Sequence, residues 1–349
     1  MRKMYNIGLK LLKRYLDSRF ILIFILVLGL ESCFKEIDTV KLEPLETITA
    51  VNSLDEYQTF YKIEENEIRL VVYNSPGKWD LGFETGDQGW HIILNYSAAA
   101  RIISSGITDF EEVDINTAND LLPVNDMTWS FDYPNGDMDS TATVNWKETD
   151  EVYILYRGSA YENQEAYYKI QFESVDAEEY LLTYSDLNTD VVYNRTIKKD
   201  SRVSFVYYSF TDDEPVIFDP GKNEWDLLFT PYYGYYKTAD GSETPYQLRG
   251  VFMNYKNGTE VIKIKDPNVR YEDIDYSTID EYEKSSMQDA IGYDWKLIPD
   301  PPDYRYNIDE DIKYIIHALD GNYYKFRFLS YYNENDEKAY PVFEYKLLL

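Results

Sequence analysis

A short tryptophan motif occurs twice in this chain, and it constrains the fold more than any other feature. Residues 78–83 read KWDLGF, and residues 224–229 read EWDLLF, 146 positions later. Each copy follows a turn that contains Gly and Pro, and its apolar residues alternate as in a β-strand with one buried face. Trp79, Leu81 and Phe83 should therefore share one core-facing side. An aromatic platform for a ligand is the less favoured alternative.

Other landmarks recur in the same order around the two motifs. The segment YYKIQF at residues 167–172 is answered by YYKFRF at residues 323–328. The spacing between matching landmarks drifts along the chain, as loop insertions would produce. A repeat of this length is the size of a domain, not of a solenoid unit. The sequence therefore predicts a tandem duplication with two homologous β domains, at residues 49–193 and 194–349.

The fold class predicted from the sequence is all-β, with mainly antiparallel sheets and few short helices. Short alternating apolar runs, such as residues 68–73, end at clusters of turn residues, and the chain contains 36 tyrosines, which suit a half-buried pleated surface. The best helical pattern covers residues 277–291, with Ser277 as a candidate N-cap and Gly292 as a stop. A weaker helical pattern covers residues 115–122.

Charge and motif content favour a binding protein over an enzyme. The chain has 63 acidic and 34 basic residues, a formal net charge of −29, which repels nucleic acid. It contains no P-loop, Gly-x-Gly-x-x-Gly, His-Glu-x-x-His or Gly-x-Ser-x-Gly pattern. No catalytic residue and no dedicated metal site is therefore predicted. The single cysteine excludes an intramolecular disulfide.

The N-terminus has the pattern of an export signal. Six basic residues within residues 1–19 precede the apolar run FILIFILVLGL at residues 20–30, which is too short to span a bilayer comfortably. Cys33 follows, in a context that resembles a bacterial lipobox. We predict a lipoprotein signal peptide over residues 1–32 and a tether over residues 33–48 that begins with the lipidated cysteine. An uncleaved membrane anchor is the alternative.

The order of these landmarks resembles the HmuY-like family of haem-binding surface lipoproteins. Each half has an aromatic strand, a charged turn, Trp-Asp-Leu-x-Phe, and a closing Tyr-Tyr-Lys-x-x-Phe segment with an aromatic last strand. The half at residues 194–349 matches best. The resemblance implies two tandem copies of an all-β domain anchored at the outer membrane, on its periplasmic or cell-surface face. It also implies capture of haem or a related tetrapyrrole, without enzymatic activity, together with an outer-membrane haem receptor.

The family resemblance further implies axial iron ligands, His pairs or Met, from loops in the later part of the domain. The chain has two histidines, and neither lies in the expected segments at 125–150 and 290–310. The ligand candidates are Met127, Met138, His91 and His317, and the candidates for the pocket rim are Trp129, Phe131, Tyr133, Trp295 and Tyr304. The alternative hypothesis is a surface lipoprotein that has lost its haem ligands and binds a glycan or a protein partner.

Overall fold

A computed structural model describes residues 45–74, 78–121, 129–158, 166–237, 241–297 and 304–349. Pro44–Leu349 form one compact unit. Its strands pair in antiparallel fashion, which confirms the predicted all-β class. The predicted signal peptide, Cys33 and most of the tether lie outside the described residues. No helix among the described residues has the length and apolarity needed to cross a membrane.

The described part of the first half contains ten strands and one α-helix. The strands are β1 (Thr47–Ala50), β2 (Tyr57–Lys62), β3 (Glu67–Tyr73), β4 (Leu81–Glu84), β5 (Ile92–Leu94), β6 (Arg101–Ser104), β7 (Tyr153–Tyr156), β8 (Tyr167–Val175), β9 (Glu179–Asp186) and β10 (Tyr193–Lys198). The α-helix, α1, covers Ile115–Leu121, where the weaker helical pattern predicted it.

The described part of the second half contains eleven strands. They are β11 (Phe205–Ser209), β12 (Glu214–Val216), β13 (Leu227–Lys237), β14 (Glu243–Met253), β15 (Glu260–Lys265), β16 (Lys284–Ser285), β17 (Lys296–Leu297), β18 (Asn307–Ile308), β19 (Ile312–His317), β20 (Tyr323–Tyr332) and β21 (Lys338–Leu347). Short 3-10 helices connect several of these strands.

Two four-stranded sheets combine hairpins from both halves of the chain. One has the order β12-β11-β4-β5, and the other has the order β14-β13-β2-β3. In each sheet a hairpin of the first half pairs with a hairpin of the second half, through β4 with β11 and β2 with β13. The predicted division at residues 193 and 194 falls at the start of β10, which pairs with β9. The two-domain organisation stays a prediction, but these sheets cross its boundary.

Each remaining large sheet belongs mainly to one half. A five-stranded sheet, β10-β9-β8-β7-β6, comes from the first half, and a six-stranded sheet, β1-β21-β20-β19-β15-β16, comes from the second half except for β1. β1 begins at Thr47, so the last two residues of the predicted tether already belong to a strand that pairs with β21. The two short strands β17 and β18 form a separate ribbon.

Matching residues of the two tryptophan motifs make matching contacts across the halves. The Asp80 carboxylate accepts the Phe210 N–H at 2.7 Å, and the Asp226 carboxylate accepts the Ile63 N–H at 2.9 Å. Each aspartate thus binds the residue that directly follows a strand of the other half, β11 for Asp80 and β2 for Asp226. Because both aspartates are buried, these bonds fix the exchange of hairpins between the halves.

The tryptophan of the first motif does not share a face with Leu81 and Phe83, which corrects the prediction. β4 begins at Leu81, so the period-2 alternation does not extend back to Trp79. Leu81 and Phe83 lie in one core cluster, whereas Trp79 lies in another, with its ring 4.9 Å from that of Tyr207. Gly82 lacks a side chain and leaves room for Ile93 and Tyr207.

The helix predicted over residues 277–291 is wrong. The structure has a six-residue 3-10 helix, Tyr276–Glu281, followed by β16, which pairs with β15. Asp275, not Ser277, is the N-cap, and it accepts the Ser277 N–H at 2.8 Å. The acidic first turn and the downstream glycine resemble a helix in sequence, but pairing with β15 ends it early.

Candidate ligand cavity

A cavity lies between the two four-stranded sheets and takes its walls from both halves of the chain. Its volume is about 70 Å³, room for a few water-sized molecules. The lining includes aromatic rings from β2, β11, β14 and the segments that flank β5 and β13, namely Phe60, Tyr96, Phe205, Tyr207, Trp225 and Phe252. The exchange of hairpins therefore creates this cavity, because neither half contributes a complete wall.

One wall of the cavity carries an isolated carboxyl group, which also lines an adjoining open cleft. Asp219 is 6% exposed, and its Oδ1 accepts the Gly221 N–H at 3.1 Å. Burial raises its pKa to about 7, against this hydrogen bond, and the carboxylates of Asp200 and Glu224 add to the rise. In the described part of the chain this carboxyl makes no ion pair. The cavity thus contains a buried acid without an internal cation.

The outer wall of the cavity is the segment at residues 132–141. Asp132 holds it in place, because its carboxylate accepts the Leu94 N–H at 2.6 Å and the Ala142 N–H at 2.8 Å. Burial raises the pKa of Asp132 to about 6, opposed by those two bonds. Gly136 has a φ of +79° and lies against the Tyr255 ring, where a Cβ would come within 2.6 Å. The backbone of this segment therefore approaches the cavity closely.

Met138 is the predicted ligand residue that lines the cavity. It begins a 3-10 helix, Met138–Ser140, and its Sδ accepts the Tyr255 hydroxyl at 3.5 Å. Met253 also borders the cavity, but it belongs to the core cluster on the opposite face of β14. Met127 lies outside the described residues. A single candidate thioether thus faces the cavity among the residues that the structure describes.

Neither histidine lines the cavity. The His91 ring stacks on Trp90 at 3.9 Å, and its Nδ1 lies 2.5 Å from a Glu84 carboxylate oxygen. Its Nε2 is buried without a hydrogen bond, 4.0 Å from Asp139. His317 ends β19, with its Nδ1 3.2 Å from Glu260. Both imidazoles therefore have local carboxylate partners away from the cavity.

The predicted rim residues divide into core and surface positions. Trp129 is 3% exposed, and Trp295 is 1% exposed and stacks on Phe328 at 3.8 Å, so both are core residues away from the cavity. Their indole N–H groups donate to backbone carbonyls nearby, which completes their burial. Tyr304 is 74% exposed, and it does not line the cavity either.

Phe131 and Tyr133 form an aromatic cluster with β13 beside the cavity. Their rings stack at 6.1 Å, and Phe131 lies 5.0 Å from Tyr233 and 5.3 Å from Tyr235. Tyr133 is half-exposed and also lines the cavity mouth. The tyrosines of β13 were not predicted as site residues, because a long Tyr-rich strand reads from sequence as ordinary sheet.

Charges at the cavity are mostly negative. Asp132, Asp137 and Asp219 line it, and Lys256 is the lining cation among the described residues. Lys256 donates to a Glu84 carboxylate oxygen at 2.5 Å, so its charge is already neutralised. In the described part of the chain, no group of three or more His, Cys, Asp or Glu residues is placed to hold a metal ion.

Three solved structures match the chain at low sequence identity and low TM-score. Apo PinO from Porphyromonas gingivitis has 8% identity and a TM-score of 0.28, covering 88% of this chain and 99% of its own. The Tannerella forsythia apo HmuY analog has 11% identity and a TM-score of 0.24, covering 89% and 100%. A putative HmuY-like heme binding protein from Bacteroides vulgatus has 17% identity and a TM-score of 0.17, covering 51% and 90%.

The assignment of the chain to a family rests on a family model that matches most of its length. No curated protein matches the chain. The model described as HmuY protein matches residues 55–345, a span that includes both halves. The predicted arrangement of two tandem copies of the family domain is therefore not confirmed. The chain belongs to the HmuY family.

Proposed function

We propose that this protein is an outer-membrane-anchored lipoprotein that binds haem or a related tetrapyrrole for haem acquisition, without enzymatic activity. Membership of the HmuY family supports the proposal. The observation that carries it here is Met138, a thioether that faces an aromatic cavity between two sheets. Thioethers serve as axial ligands of haem iron in other proteins.

Two properties of the cavity define what haem binding would require. A volume of about 70 Å³ is too small for a macrocycle, so residues 132–141 would have to move outward. The lining carboxylates would repel the negatively charged propionates of haem. Lys256 does not offset this repulsion, because it is paired with Glu84. If haem binds here, the Met138 thioether would bind its iron and the aromatic rings of the lining would contact the macrocycle.

A spectroscopic titration tests the haem proposal. Ferric and ferrous haem are added separately to the purified protein while the Soret region is recorded. We expect a saturable shift in at least one redox state, and the same shift in the His91→Ala variant, because His91 does not line the cavity. If neither redox state gives a saturable shift, the haem proposal fails, and a surface lipoprotein for glycan or protein partners takes its place.

The anchor and the receptor are separate parts of the proposal. Lipidation of Cys33 would place the folded part at the outer membrane, where an outer-membrane haem receptor is the proposed partner. Labelling cells with a palmitate analogue should mark the wild-type protein and leave the Cys33→Ala variant unmarked. Label on Cys33→Ala, or an unlabelled wild-type protein, would overturn the lipid anchor.

A further inference from the structure

The buried carboxyl of Asp219, which lines the cavity and an adjoining open cleft, lacks a cation. Apart from the Gly221 N–H, it makes no hydrogen bond or ion pair in the described part of the chain. Taking a carboxylate out of water costs several kcal/mol unless an opposite charge compensates it. Lys256, the lining cation, is held by Glu84 and does not serve Asp219. The ionised Asp219 carboxylate therefore destabilises the folded state, and a bound cation would remove this destabilisation.

Two phenol groups beside Asp219 also lack partners. Tyr207 is 7% exposed, and Tyr207 and Tyr96 both line the cavity. Among the described residues neither hydroxyl makes a hydrogen bond, and both lie close enough to Asp219 for its charge to raise their pKa beyond the effect of burial. Polar groups inside a protein are normally satisfied, so Asp219 and these two hydroxyls indicate a missing ligand.

The surroundings of Asp219 favour an organic cation. The rings of Phe60, Tyr207 and Trp225 line the same space, and aromatic faces attract ammonium groups. Acidic side chains at the mouth, Asp132 and Asp137, and the net charge of −29 concentrate cations near the entrance. The same field repels anions.

We propose that the part of the cavity beside Asp219 binds a small primary ammonium ion, with Asp219 as its counter-ion. Three N–H donors match the carboxylate and the two phenol oxygens of Tyr96 and Tyr207. A short alkyl chain would then lie against Phe60 and Phe252. This binding activity goes beyond haem capture and does not depend on it.

Calorimetric titration with n-propylammonium chloride at pH 8 tests the proposal, because Asp219 is ionised at that pH. We expect saturable binding to the wild-type protein. Asp219→Asn should weaken it at least tenfold, since the change removes the counter-ion and its charge-assisted hydrogen bond. Tyr207→Phe should weaken it severalfold. Asp280→Asn makes the same charge change at an exposed position outside the cavity and should leave affinity unchanged.

Two further compounds distinguish an ammonium site from a merely apolar or merely cationic one. 1-Propanol has nearly the same shape without the charge, and tetramethylammonium has the charge without N–H donors. We expect no saturable binding of 1-propanol and weaker binding of tetramethylammonium. The proposal is overturned by absence of n-propylammonium binding, by equal affinity of Asp219→Asn, or by 1-propanol or tetramethylammonium binding as tightly as n-propylammonium.

Discussion

The aspartates of the two tryptophan motifs are both buried, but they are stabilised differently. Asp80 receives two hydrogen bonds from the Arg157 guanidinium, at 2.7 and 2.9 Å. Asp226 relies on backbone donors from Ile63 and Leu319, with Lys62 3.7 Å away. Burial raises the pKa of Asp226, and those donors only partly oppose the rise. The two copies of the motif are therefore not energetically equivalent.

Replacing Arg157 should strongly destabilise the protein. The Asp80 and Arg157 side chains are 1% and 3% exposed, so Arg157→Leu leaves an uncompensated buried carboxylate. We expect the free energy of unfolding to fall by about 3 to 5 kcal/mol, measured by urea denaturation. Arg202→Leu breaks a matched pair with Asp200 in which Arg202 is 87% exposed, and it should change stability by less than about 0.5 kcal/mol. Similar losses in both variants would contradict this explanation.

Asp219 should make stability depend on pH. Its pKa rises from an ordinary value of 3.8 to about 7 on folding, through burial and the charges of Asp200 and Glu224, with Tyr96 and Tyr207 also facing it. The folded state therefore holds a proton that the unfolded state releases between those values. This contribution to stability is fully present below pH 3.8 and is lost progressively as the pH rises from there through about 7.

The Asp219→Asn variant isolates that contribution. The free energy of unfolding of the wild-type protein minus that of Asp219→Asn should fall by about 3 kcal/mol between pH 5 and pH 8. Denaturant titrations of both proteins at each pH provide the measurement. The corresponding difference for Asp280→Asn should stay nearly constant. A difference for Asp219→Asn that does not change with pH would show that this carboxyl is ionised throughout.

At the scale of elements, β14 depends on a close backbone approach. A Cβ at Gly250 would come within 2.3 Å of the Gly292 carbonyl oxygen, next to the bridge between Val251 and Gly292. Gly250→Ala should therefore lower the free energy of unfolding by roughly 1 to 3 kcal/mol. In Gly234→Ala on neighbouring β13, the added Cβ would meet only side-chain atoms, none nearer than 3.3 Å. The loss of stability should therefore be smaller. Thermal unfolding of both variants tests this ranking. A larger loss of stability in Gly234→Ala than in Gly250→Ala would contradict it.

The alternating apolar runs at residues 68–73 and 167–172 were recognised in the sequence and fall in β3 and β8, because alternation is a local signal. Prediction from the sequence failed where distant partners decide the structure. Residues 277–291 have the caps and acids of a helix, yet Lys284–Ser285 pairs with β15. Trp79 fits an alternating pattern, yet the strand starts two residues later. Local propensity is outweighed in both places by tertiary pairing.

At the scale of the whole molecule, hairpin exchange joins the two halves. The repeated motif was visible in the sequence, but the pairing of β2 with β13 and of β4 with β11 was not. An alternating strand pattern specifies a buried face and not a partner. For the same reason, the residues that line the cavity could be predicted only in part. Met138 and Tyr133 were predicted as site residues, whereas Asp219 and Tyr207 come from strands and turns with no motif of their own.

Hairpin exchange predicts that neither half folds alone. A fragment of residues 45–199 retains β2 and β4 but lacks their partners β13 and β11. A fragment of residues 200–349 retains β13 and β11 but lacks β2 and β4. We expect each fragment to lack cooperative unfolding and the two together to form a 1:1 complex with native near-ultraviolet circular dichroism. Size-exclusion chromatography and spectroscopy provide the measurement. Cooperative unfolding of either fragment by itself would contradict the shared-sheet architecture.

The proposal that the cavity binds haem through Met138 is tested most directly by comparing two methionine variants. Met138 lines the cavity, whereas Met287 is 58% exposed and does not line it. Each change to alanine removes one thioether, and the Soret titration gives both haem affinities. We predict at least a tenfold loss of affinity for Met138→Ala and wild-type affinity for Met287→Ala. Wild-type affinity in Met138→Ala, or a loss confined to Met287→Ala, would contradict binding in this cavity.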